Sequence, residues 1–126
     1  MPVLAVSKGV RISPRKVGEV ASLVRGRTVA DALVILKHTP RRSAEMVAKT
    51  IMTAKANAEH NHNLKPDSLK IVEITVNHGP RLKRFRPVAM GRAHPFMRRT
   101  SHIRVIVDGE QRAIKKPASA AKKETK

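Results

Sequence analysis

The sequence predicts an α+β fold: three helices packed on a small three-stranded antiparallel sheet, with a long protruding β-hairpin. Three observations predict it. Apolar residues recur at helical spacing in three stretches between residues 13 and 63. Apolar and polar residues then alternate strictly in two later stretches, and an N-terminal apolar stretch can supply a third strand. Finally, about 24 residues separate the two later strands. That is far more than the roughly 2–5 of an ordinary hairpin loop.

The elements follow in chain order. Val3 to Val10 is a candidate first strand. Ser13 followed by Pro14 predicts a helix cap and first helical residue. Val17, Val20, Ala21 and Val24 then share one face, and Gly26 closes the helix after Arg25. A second helix starts at Thr28, with Asp31 three residues on as a capping-box variant and a stripe of Val29, Ala32, Leu33 and Leu36. The pair Thr39-Pro40 predicts the start of a third helix. Its stripe is Ala44, Val47, Ala48, Ile51, Ala54 and Ala58, and it ends near Asn61 to Asn63. Pro66-Asp67 marks a turn. Val72, Ile74 and Val76 alternate with Glu73, Thr75 and Asn77 as a half-buried strand. Ile103, Val105 and Val107 do the same against His102 and Arg104, until Asp108-Gly109 ends the strand.

The chain has 126 residues, with 27 Lys+Arg against 9 Asp+Glu, a net charge of +18. It has no Cys, Trp or Tyr and only two Phe. Without Cys there is no disulfide framework, thiolate metal site or Cys nucleophile. No apolar run approaches the roughly 20 residues of a membrane span. No basic segment precedes the first apolar residues, so a secretory signal is not expected. A positive charge this large calls for a polyanionic partner, with nucleic acid foremost.

The charge is uneven. Residues 28–79 hold seven basic and five acidic side chains, whereas residues 80–104 hold eight basic and no acidic ones. Residues 111–126 hold six basic and one acidic, with few large apolar groups, and are expected to form a basic disordered tail. Residues 1–110 are expected to form one RNA-binding domain that includes the extended hairpin, 79–102.

Two helix starts carry cations where the helix dipole favours anions: Arg15 and Lys16 after Ser13-Pro14, and Arg41 and Arg42 after Thr39-Pro40. Phosphate contact explains this better than cations leaning idly into water. The hairpin segment mixes Arg81, Lys83, Arg84 and Arg86 with Leu82 and Phe85 on the way out. On the way back it mixes Arg92, Arg98 and Arg99 with Phe96 and Met97. Too few apolar residues are present for a separate core, and a floppy loop would not need the two Phe. Cations meeting phosphate, with Phe and Arg faces stacking on exposed bases, fit an arm ordered against RNA. Two arms of 11–12 residues at ~3.3 Å each would reach nearly 40 Å.

Six His invite a search for metal sites, but His60 and His62 lack a third ligand near in sequence, and no metal or cofactor is expected. Ser13 and Ser101 have no evident His–acid partners, and no Gly-rich phosphate loop occurs. The chain is not expected to be an enzyme. A free DNA-packaging protein lacks support, since no recognition-helix pattern appears. A membrane-active protein lacks a basic amphipathic helix with bulky apolar residues.

Several motifs together resemble one family. They are Val10-Arg11-Ile12-Ser13-Pro14-Arg15-Lys16-Val17, Ala56-Asn57-Ala58-Glu59-His60-Asn61, Gly79-Pro80, Leu82-Lys83-Arg84, Gly91-Arg92-Ala93 and Arg99-Thr100-Ser101-His102-Ile103. The chain resembles the bacterial-type family of large-subunit ribosomal protein number twenty-two, over residues 3 to 108. The resemblance implies a cytoplasmic protein in the ribosome that binds large-subunit ribosomal RNA and touches neighbouring ribosomal proteins. It also implies a role in assembly and a hairpin lining the nascent-peptide exit tunnel, within reach of the nascent peptide. Changes in the family's hairpin alter macrolide sensitivity, and Leu82-Lys83-Arg84 belongs to the stretch associated with that effect. The expected RNA contacts add Arg11 and His102 to the helix-start cations and to the hairpin's cations and Phe residues. The expected tip is Pro87, Val88, Ala89, Met90, Gly91 and Arg92. Where the family often has Pro-Arg-Ala, this chain has Pro87-Val88-Ala89, and Met90 stands where a basic residue is common. The tip is therefore expected to be less cationic than usual. Neither a membrane nor a second copy of the chain is expected as a partner.

Overall fold

The computed structural model describes residues 1–113. In chain order the elements are β1 (Val3–Val10), α1 (Pro14–Val24), α2 (Val29–His38), α3 (Arg42–His62), β2 (Lys70–His78), β3 (Leu82–Pro87), β4 (Ala93–Arg98) and β5 (Ser101–Asp108). The three helices, the three-stranded sheet in the order β1-β5-β2 and the separate β3-β4 ladder make the expected α+β architecture.

The central strand is the most regular. Ile103, Val105 and Val107 of β5 point inward and are fully buried, while Arg104 points out. Both neighbours pair with it antiparallel, Val3 facing Val107 on one side and Ile74 facing Val105 on the other. α1 and α3 lie across the inner face, and α2 packs on α3. Val17, Val20, Ala21 and Val24 from α1 meet Ala44, Val47, Ile51, Ala54 and Ala58 from α3 in a core with no aromatic side chain. The small residues on α3 let its backbone approach the sheet closely.

The caps explain the helix ends. Ser13 precedes Pro14 at the start of α1, as expected, although its side chain makes no capping bond. The Asp31 N–H donates to Thr28 Oγ1 at 3.2 Å, and the Thr28 hydroxyl donates to the Asp31 carboxylate at 2.7 Å, so the capping variant forms. Asn63, in the left-handed region at φ 49°, ends α3. Leu64 N–H then donates to Ala58 O at 3.0 Å.

Three expectations change. α3 begins at Arg42, not at Thr39-Pro40. Thr39 instead caps the end of α2, and its hydroxyl donates to Ile35 O at 2.8 Å. The N-cap of α3 is Arg41, which makes no side-chain capping bond. In β2, Ile74 and Val76 face inward as expected, but Val72 does not. A bulge between Ile71 and Glu73 puts Ile71 and Ile74 in the core and leaves Val72 59% exposed. One extra residue shifts the parity of everything before it. Finally, the expected tail boundary after residue 110 falls early. Gln111 bridges to Leu64, and the Arg112 N–H donates to Asn63 O at 2.8 Å. The rest of that segment, from residue 114, lies outside the described residues.

Candidate nucleic-acid interface

The hairpin leaves the sheet through a tight neck. Gly79 N–H donates to Thr100 O at 2.8 Å, and the Thr100 hydroxyl donates to Pro80 O at 2.6 Å. A Cβ on Gly79 would lie 2.4 Å from Thr100 Oγ1 and 3.2 Å from the Thr100 carbonyl carbon, so only Gly fits. The β2-β5 pairing runs to His78 opposite Ser101, and the β3-β4 pairing starts at Leu82 opposite Arg98. Pro80 and Arg81 thus lie opposite Arg99 alone. An extra residue beside a Pro with no N–H separates the two sheets and re-aims the arm.

Beyond the neck the ladder has six residues per strand, from Leu82↔Arg98 to Pro87↔Ala93. At a rise of ~3.4 Å per residue the paired part spans about 20 Å. That is about half of the expected reach. Val88 N–H donates to Arg92 O at 2.9 Å across the turn. Met90 and Gly91 both have positive φ, 61° and 67°, and the Met90 side chain is 93% exposed.

Residues directly opposite in an antiparallel pair point to the same side. Leu82, Arg84, Arg86, His94, Phe96 and Arg98 therefore share one face, and Lys83, Phe85, Pro87, Ala93, Pro95 and Met97 share the other. The first face is cationic around one aromatic ring. The guanidinium carbons of Arg86 and Arg98 sit 5.5 Å and 5.4 Å from the Phe96 ring centroid, within cation–π range. The second face is apolar apart from Lys83.

The cationic face looks back at the helical domain across a cleft of about 1360 Å³. Arg84, Phe96, Arg98 and Arg99 stand on the hairpin side. Arg11, Arg15, Lys16, Arg41 and Arg42 stand on the domain side. The starts of α1 and α3, 27 residues apart in sequence (Arg15 to Arg42), are thus brought to one wall. Arg41 is the N-cap of α3 and pairs with Glu19, the single acid in the cleft. Among the described residues, Arg15, Lys16 and Arg42 pair with no carboxylate. Two like-charged walls facing each other repel, and a polyanion between them would relieve that repulsion.

The other expected contact residues lie elsewhere. Arg81, Lys83, Phe85 and Arg92 are exposed on the arm outside the cleft, and Arg86 reaches the site only through its contact with Phe96. His102 is half-buried beside a β1 bulge, where its Nδ1 accepts the Gly9 N–H at 3.0 Å. The residue pattern alone missed Glu19 and Thr100. Neither carries a local signal, because their partners Arg41 and Pro80 are about 20 residues away. Among the described residues no group of three or more His, Asp or Glu is placed to hold a metal, and no helix is long and apolar enough to cross a membrane.

Comparison with known proteins agrees with this architecture. Residues 5–108 match the family model described as ribosomal protein L22p/L17e. The chain is 52% identical over 107 residues to "Large ribosomal subunit protein uL22" of Clostridioides difficile (strain 630), covering 85% of this chain and 96% of that one. The protein of the same name in Desulfitobacterium hafniense (strain Y51) is 52% identical over 103 residues, 82% of this chain and 90% of the relative. That of Clostridium novyi (strain NT) is 50% identical over 107 residues, 85% and 96% respectively.

Proposed function

This chain belongs to the L22p/L17e family of ribosomal proteins, and on that premise we propose that it binds large-subunit ribosomal RNA through the cationic cleft and carries its hairpin into the peptide exit tunnel. It is a structural, non-enzymatic constituent of the large ribosomal subunit. Ribosomal RNA and other ribosomal proteins are its surroundings there.

The observation that carries RNA binding is the cleft with cations on both walls and one acid already paired. Residues 1–110 act as one binding unit, with the domain docking by phosphate contacts. The contact set is the cleft cations and Phe96, extended by Arg81, Lys83, Phe85, Arg86, Arg92 and His102 along and at the base of the arm. Joining a domain-bound RNA segment to one reached by the arm gives the protein its part in assembly.

The tip, Pro87 to Arg92, extends beyond the last phosphate-binding pairs of the ladder. It holds one cation, Arg92, and exposes Met90. A weakly charged, partly apolar tip suits the wall of a passage for a nascent peptide of varied sequence. One copy acts per subunit.

The test is fractionation of cell extract on a sucrose gradient with the tagged full chain. Co-migration with large subunits at moderate salt is expected, with release at high salt. Recovery only with DNA or with membranes would overturn the proposal. For the tip, cross-linking from position 90 to a stalled nascent chain is expected, and its absence in assembled subunits would refute tunnel placement.

A further inference from the structure

We infer that Phe96, and not Phe85, is the base-stacking platform of a single-stranded RNA site in the cleft between the hairpin and the starts of α1 and α3. This rests on the RNA-binding role proposed above and assigns a chemistry to one side chain within it. Both Phe lie on the hairpin at neighbouring ladder positions, but the register separates them. Phe96 pairs with Arg84 on the face that lines the cleft, and Phe85 pairs with Pro95 on the opposite face, from which Met97 near the neck reaches the cleft but Phe85 does not.

Their surroundings differ as much. Phe96 is half-buried and lies within cation–π distance of Arg86 and Arg98, which limit its movement and surround it with phosphate-binding groups. Phe85 is 72% exposed, and the only cation on its face of the ladder is Lys83. A ring that stacks a base gains most when the sugar-phosphate backbone is held on either side of it. Arg84 and Arg98 supply that on the hairpin wall, and Arg15, Lys16 and Arg42 supply it across the cleft.

The aromatic ring also selects the form of the nucleic acid. In a duplex each base face is covered by its neighbours, so Phe96 would find only edges and phosphates. An unpaired segment can turn a base onto the ring while its phosphates run between the walls. At about 1360 Å³ the cleft exceeds the ~300–1,000 Å³ of small-molecule sites, which suits several nucleotides over a mononucleotide.

The experiment uses the full chain and an eight-nucleotide uridine RNA carrying one central 2-aminopurine, with a blunt RNA duplex of equal length as comparison. Wild type is expected to bind the single strand more tightly than the duplex and to quench the 2-aminopurine. Phe96→Ala should weaken single-strand binding about tenfold or more, the scale of one lost base–aromatic stack. Phe96→Trp should restore both affinity and quenching, which a merely structural role for the ring would not do. Phe85→Ala, whose contacts lie on the opposite face of the ladder, should weaken binding to this short single strand several-fold less than Phe96→Ala does. Equal losses in the two Ala variants, preference for the duplex, or failure of Phe96→Trp to quench would overturn the inference. If wild type binds no RNA at any salt, the broader RNA-binding proposal falls. If wild type binds with steep salt dependence and Phe96→Ala binds equally well, only the stacking site falls.

Discussion

Replacing Arg84, Arg98 and Arg99 together by Ala removes the three cations of the hairpin wall of the cleft while leaving the domain wall intact. The side chains are exposed and none belongs to the hydrophobic core, so the fold should survive. Counterion release sets the scale. Each phosphate neutralised contributes about 0.7 to the slope of log affinity against log salt for a single strand, and about 0.9 for a duplex. Three lost contacts should therefore flatten the slope by about 2 to 3. Extrapolated from 1 M to 0.1 M salt, this is a loss of roughly 100- to 1,000-fold in affinity. The control removes Lys49, Lys65 and Lys70. Lys49 lies 2.8 Å from Glu45 and Lys65 lies 3.4 Å from Glu110, so two of the three already have an anionic partner. Its slope should change by less than about 1. The assay is filter binding to a large-subunit ribosomal RNA transcript at five or more salt concentrations, with thermal melting to confirm folding. Equal flattening in the two triple variants would mean that the charge acts diffusely, and would refute a localised cleft.

Other expectations concern the scaffold. Because the β2 bulge turns Val72 outward, Val72→Lys should change stability by no more than about 0.5 kcal/mol in urea unfolding. Ile74→Ala, in the core, should cost about 2–5 kcal/mol; a cost of that size at Val72 as well would restore simple alternation. At the neck, Gly79→Ala should destabilise by about 1–3 kcal/mol through overpacking. Adding Thr100→Ala removes one clash but also the bond to Pro80, so the double variant should be less unstable than the two single losses summed. Strict additivity would show that the two residues do not touch. Two surface carboxyls should titrate below their ordinary values. Glu45 is held low by the Lys49 hydrogen bond and then by the Lys49 charge, and Asp108 by the amino terminus and then by the Gly109 N–H. Since both folded values are depressed, their stabilisation is present above the unfolded carboxylate range and lost as pH falls through the folded values. Carboxyl-carbon NMR titration checks this, and midpoints at or above the ordinary values would contradict the geometry.

Local chemistry explains which elements could be read before the fold was known. The α1 start, the Thr28–Asp31 cap and the β5 alternation each depend on residues within a few positions of one another. What escaped depends on partners far along the chain. Thr39 looked like a cap for α3, and only the packing of α2 shows its hydroxyl directed backward to Ile35. Val72 looked buried because alternation assumes an unbroken ladder, and the bulge is set by how β2 meets β5. Leu64 and Leu69 are fully buried, yet they sit in an irregular connection with no period to reveal them. The cleft belongs to this second kind. Its cations were each visible as excess charge, but their division into two facing walls requires the neck to aim the arm.

The hairpin carries that distinction furthest. Its residues alternate along both strands, yet alternation alone does not say which residues share a face. That depends on register, and a slip of one residue would move one strand's whole set to the opposite side. Phe96 would then share the face of Phe85, and the cationic face would lose its ring. Register in a hairpin is fixed by its turn. Here the turn is closed by Val88 and Arg92, with Met90 and Gly91 both in the left-handed region. Gly91 adopts that conformation freely, whereas Met90 does so at a steric cost. The tip thus has a second physical task besides presenting its surface. By setting the register it decides which of the chain's two aromatic side chains faces the cleft, some five residues from the turn.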